Sequence, residues 1–84
     1  MKLLTMLETI GSREDLAALV DQMRSDFEKD PGGWENADIA SFLEAMSAWL
    51  RDMYGYYQNR GECVPNTPTW RTIGEILLAS RDYE

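Results

Sequence analysis

The stretch Asp30–Tyr57 reads DPGGWENADIASFLEAMSAWLRDMYGYY, and its reading decides the fold. Ile39, Phe42, Leu43, Met46, Trp49, Leu50, Met53 and Tyr57 recur with helical spacing. At about 100° per residue they fall in an arc of about 120°, the apolar stripe of an amphipathic helix. The spacing predicts a helix over 37–58 that ends near the NRG triplet. Asn36 is the expected N-cap, with Asp38 in a first turn where the helix dipole favours an acid. Phe42 points at the middle of the arc and reads as core, while Trp49 sits at its edge. Tyr54 and Tyr56 fall outside it on opposite flanks, and Trp34 precedes the helix as a lid over its first turn. Core packing therefore accounts for about half of these rings, and the rest read as amphipathic surface anchors.

Working outward, Pro31 and the glycines after it stop whatever precedes. Leu16, Leu19, Val20, Met23 and Phe27 form one face of a helix expected over 13–29, started by the near capping box SRED from Ser12. Before it, Leu3, Leu4, Met6, Leu7 and Ile10 make a short apolar opening, either a helical turn or two or an extended arm. After the central helix, GECVPNTPT reads as a loop. Thr67 and Pro68 are the expected start of a last helix over 68–83, with Trp70, Ile73, Ile76, Leu77 and Tyr83 on one broad face. Leu78 lies off that face, so this helix is expected to be covered on two sides. Gly74 at the edge of the face suggests a close helix approach, and Arg71 with Glu75 an exposed i, i+4 pair. No strand alternation, repeat or low-complexity segment interrupts this pattern. The expected fold is all-α, a small bundle of three main helices plus a short N-terminal element, in one domain over 1–84.

Composition narrows function by exclusion. The chain has no histidine, which removes the commonest general base and transition-metal ligand. Cys63 is the single cysteine and follows Glu62, a poor setting for a thiolate, so it reads as a spacer. Neither GSRED nor PGGWEN has phosphate-loop spacing, and DPGGWENAD lacks that of a calcium loop. No enzyme, cofactor or metal site is expected. The net charge of −7 disfavours nucleic acid and anionic membrane and favours a basic protein partner. The apolar start MKLLTML is too short for a signal segment, and the unpaired thiol fits a reducing compartment, so a cytoplasmic setting is expected.

Binding is the better expectation. Glu14, Asp21 and Glu28 follow one another at heptad spacing along one ridge of the first main helix, a docking strip for a basic protein. Trp34, Glu35, Asp52, Tyr54, Tyr56 and Glu62 make an aromatic and acidic patch, provided the end of the central helix and the following loop come together. The expected function is a non-catalytic acidic protein-binding module, of immunity or inhibitor type, that occludes a basic partner: acids steer and rings anchor. The alternative is a self-associating domain, a homodimer through the excess apolar face of the last helix, Leu78 included.

Three strings carry a resemblance: WEN at 34–36, FLEAMSAWLRD at 42–52 and PTWRTIGEILLASRDYE at 68–84. In this order they resemble an uncharacterised bacterial family of small acidic domains of unknown function. The motif residues are Trp34, Glu35, Asn36, Trp49, Asp52, Trp70, Arg71, Tyr83 and Glu84. The resemblance implies an all-α fold, an intracellular bacterial setting and no particular activity. For these residues a structural role is available in each case: Asn36 as a cap, Arg71 bound to Asp52 or Glu35, the tryptophans as core fillers. DMYGYYQNRGECVPNTP is also similar in physical type to the acid-and-tyrosine surface of colicin-nuclease immunity proteins, without shared spacing.

Overall fold

The computed structural model describes residues 2–83. Four helices follow one another, and no strand occurs among the described residues. They are α1 (Lys2–Glu8), α2 (Arg13–Lys29), α3 (Ile39–Asn59) and α4 (Trp70–Ser80), with a 3-10 turn at Pro31–Gly33 between α2 and α3. The fold is all-α, as expected. The apolar N-terminal opening is helical, and its Leu3 and Leu7 are buried.

Local chemistry sets the ends. Ser12 Oγ accepts from the Asp15 amide at 3.1 Å, and the Asp15 carboxylate accepts in return from the Gly11 amide at 3.0 Å. The α3 start is a correction: Asp38, not Asn36, is the cap, its carboxylate accepting from the Ser41 amide at 2.8 Å. Asn36 is engaged elsewhere. At the other end of α3, Gly61 at φ +72 turns the chain. The Gly61 amide bonds the Gln58 carbonyl at 3.0 Å and the Glu62 amide the Tyr57 carbonyl at 2.8 Å, the double bond of a Schellman motif. The last helix is shorter than expected at both ends. Thr69 rather than Thr67 caps it, in a reciprocal box with Thr72, which leaves Pro68 outside the helix. It stops at Ser80 because Asn36 claims the closing carbonyls: its Nδ2 donates to Ser80 at 3.0 Å and to Tyr83 at 2.8 Å, and its backbone amide to Arg81 at 3.0 Å.

Helix α4 is the axis of the molecule. On one side Leu78 joins Leu3, Leu7, Ile10, Leu19 and Met23 from α1 and α2. On the other, Ile76 and Ala79 meet Trp49, Met53 and Tyr57 of α3. Each buried leucine-sized side chain contributes about 1.5–3 kcal/mol. The expected two-sided covering of α4 is therefore found, and Leu78 is spent inside the monomer rather than on a face open to a second copy. Gly74 marks the closest approach: a Cβ there would lie 2.9 Å from Ile10 Cδ1 and 3.1 Å from Leu19 Cδ2. Helices α2 and α3 both pack on α4 and not on each other, so a channel stays open between them.

Candidate functional site

The channel is a strongly apolar concavity. It holds about 360 Å³, with Val20, Met23 and Phe27 of α2 on one wall, Ile39 and Phe42 of α3 on the other, and Leu77 in the floor. Trp34 closes one end. Its indole N–H donates to Asp26 at 2.7 Å, its ring meets Phe27 edge-on at 5.2 Å and lies stacked with Phe42 at 6.3 Å. Behind it Arg81, nearly buried, lies 5.9 Å from the Trp34 ring and reaches Asp26 at 3.7 Å and Asp82 at 2.7 Å. A lid residue is thus locked by a cation, an acid and two rings, which fixes that end of the channel.

The charged residues that line the channel are one acid, Asp38, and one base, Arg24. The amide and hydroxyl of Ser41 hold the Asp38 carboxyl below the ordinary range, so it stays ionised. Glu14, Asp21 and Glu28 run along the solvent ridge of α2, about 100° around the helix from Val20 and Phe27, with Arg24 between them and the channel. Arg24 also lines the channel but reaches back to Glu28 at 3.7 Å, and Arg13 to Glu14 at 2.8 Å. Both are exposed contacts of little strength.

The apolar surface does not stop at the channel. Ile39, Leu43, Leu50 and Tyr54 are exposed to 72, 53, 50 and 67%. They form a row on α3, with Met46 between, and a second depression of about 380 Å³ lies at Leu43, Met46, Ser47, Leu50 and Arg51. The core face of α3 is instead Ala45, Trp49, Met53 and Tyr57. At 100° per residue the two rows are centred about 90° apart. This corrects the single arc expected from the sequence. Trp49 is central to the core, whereas Phe42 is a half-buried wall of the channel.

The expected aromatic and acidic patch is divided among four places. Trp34 is the lid, with Glu35 exposed beside it. Tyr54 stands on the outer row of α3. Tyr56 and Glu62 do come together through Arg60, which donates to the Tyr56 hydroxyl at 2.6 Å and pairs with Glu62 at 3.3 Å. Asp52 accepts from the Tyr83 hydroxyl, not from Arg71. Glu75 accepts from Tyr57 at 2.6 Å and forms no ion pair with Arg71 among the described residues. Burial and that bond push the Tyr57 phenol up to about 12, and the bond to Asp52 also raises Tyr83. Trp70 is about half exposed rather than core, and Glu84 lies outside the described residues.

Most motif residues thus act as fasteners. Asn36 and Tyr83 clasp the lead-in of α3 to the end of α4, and Trp34 clasps both to α2. Residues 12–84 match the family of unknown function DUF7660. The chain belongs to this family. The region matched to DUF7660 includes every element of the clasp and both walls of the channel, and leaves out only α1. No curated protein and no solved structure matches the chain. Sequence reasoning missed Arg81, Val20, Phe27 and Leu77 as site residues. The signal available was the run Val20, Arg24, Phe27, a second row on α2 offset from Leu19 and Met23.

Proposed function

We propose that this DUF7660 chain is a non-catalytic protein-binding module of the bacterial cytoplasm that takes a helix of a basic protein into the channel between α2 and α3. The observation that carries this reading is the open apolar channel with Asp38 on its rim, on a chain of net charge −7. An amphipathic helix laid in such a groove places its apolar anchors over Leu77 and between the walls. Its basic face then meets Asp38 at the rim, while Glu14, Asp21 and Glu28, farther round α2, add to the field that draws it in. Occlusion of the partner's surface is the mechanism, as in an inhibitor or immunity protein, with the acids acting on encounter and the channel on residence. The acids are steering groups here and the apolar walls the anchors, which moves the anchoring role from the rings of Tyr54 and Tyr56 to Val20, Phe27, Ile39 and Phe42.

A photo-cross-linking residue placed in turn at Val20, Ile39 and, as an off-channel control, Gln58 tests this in the native host. A basic protein cross-linked from the two channel positions, with an association rate that falls about tenfold or more from low to high salt, supports it. Cross-links only from Gln58, or an association rate indifferent to salt, contradict it.

A further inference from the structure

We infer that the outer face of α3 is a homodimer seam, on which a second copy of this chain lays its own α3 antiparallel. Ile39, Leu43, Met46, Leu50 and Tyr54 form a row along about 22 Å of helix at 1.5 Å per residue. Among the described residues no other helix packs on that side, because α3 makes its helix contacts with α4. A continuous row of this kind is more than the scattered surface leucines of an ordinary monomer.

The row is complementary to itself. About a twofold axis between Met46 and Ser47, Ile39 meets Tyr54 of the second copy, Leu43 meets Leu50, and Met46 meets Ser47. The largest exposed groups pair at both ends, and the small serine sits at the centre where the backbones come closest. The depression at Leu43, Met46, Ser47, Leu50 and Arg51 lies on that centre and offers the hole for the facing leucine, with Arg51 at its edge. No charged side chain lies on the row.

The flank selects both the occupant and the direction. Glu44 and Arg51 stand on the same side of the row, two turns apart, and Arg51 is held beside it by donating to Ser47 Oγ. Antiparallel packing brings Glu44 of each copy toward Arg51 of the other. Parallel packing would set the Glu44 and Arg51 flanks of the two copies on opposite sides of the pair, where neither charge meets its complement. A basic partner gains nothing from a flank carrying one acid and one base, whereas a second copy matches both. The seam shares Ile39 with the channel wall, while Leu43, Met46, Leu50 and Tyr54 lie outside the channel lining. It is a different face from the Leu78 side of α4, which the monomer itself fills.

Sedimentation equilibrium of the full chain from about 1 to about 200 µM tests the seam, since one helix pair belongs at the weak end of specific interfaces. The expected result is a monomer–dimer equilibrium in the micromolar range. The double variant Leu43→Ser/Leu50→Ser is expected to be monomeric throughout with its helical circular dichroism unchanged. Glu44→Arg and Arg51→Glu are each expected to weaken association about tenfold, and the two together to restore it, a coupling that a merely greasy contact would not give. A monomer at every concentration overturns the inference, and so does a dimer that survives the double leucine change or shows no charge-swap recovery. A monomer whose channel still cross-links a basic protein removes the seam and keeps the binding module. A dimer with no channel cross-link does the reverse.

Discussion

The two faces of α3 differ little in composition and greatly in use. The inner face carries Ala45, Trp49, Met53 and Tyr57, all buried, the last three packed with Ile76 and Ala79 of α4 and with Val64. The outer face carries Ile39, Leu43, Leu50 and Tyr54, all at least half exposed. Both have helical spacing and both end in a tyrosine. What separates them is the neighbour: one short helix, α4, covers a single side of a helix nearly twice its length. Apolar residues beyond the reach of that neighbour are surplus to the fold, and a row of them is a surface for something else.

The contrast can be broken by substitution. Trp49→Ala should cause the largest loss, about 3–5 kcal/mol, because it empties the centre of the inner face. Urea unfolding below micromolar concentration checks this, and a loss under about 1 kcal/mol would deny Trp49 its core role. Next comes Asn36→Ala, which removes two bonds to the end of α4 at 3.0 and 2.8 Å. The expected loss is about 2 kcal/mol, with faster amide exchange at Tyr83.

The pH dependence sharpens the same comparison. Tyr57 on the inner face has its phenol pushed up to about 12 from 10.0, first by burial and then by its bond to Glu75. The fold therefore favours the neutral phenol. That stabilisation is whole below about pH 10 and is lost as pH rises toward 12. Stability should decline through that window, and less steeply in Tyr57→Phe. An unchanged slope in that variant would remove Tyr57 as the cause. A smaller effect is expected for Trp49→Phe, under about 1 kcal/mol. The buried Trp49 indole N–H has no acceptor among the described residues, so the change loses ring volume but also an unmet donor. A loss as large as that of Trp49→Ala would mean the indole is bonded after all.

The all-α class, the α2 start at Ser12 and the two-sided cover of α4 were legible, because each rests on local periodicity or capping. Gly74 signalled a tight approach that a Cβ would obstruct. The capping role given to Asn36 was not secure, since Asp38 two residues on offers the same chemistry and Asn36 finds partners 44 and 47 residues away. The site was less legible than the fold. Helical phase alone cannot say which part of a 120° arc meets the neighbour, so Phe42 and Trp49 exchanged places. The channel depends on α2 and α3 both choosing α4, a tertiary fact with no local signature. Arg81 was hidden because its partners Asp26 and Trp34 come from distant sequence.

The most direct measurement is the unfolding free energy of Met53→Ala beside that of Leu50→Ala, one residue on each face of the same helix, at a concentration too low for association. A loss of about 2–5 kcal/mol for Met53→Ala against less than about 0.5 kcal/mol for Leu50→Ala is expected. Equal losses would contradict the division of α3 into a face that holds the fold and a face kept for docking.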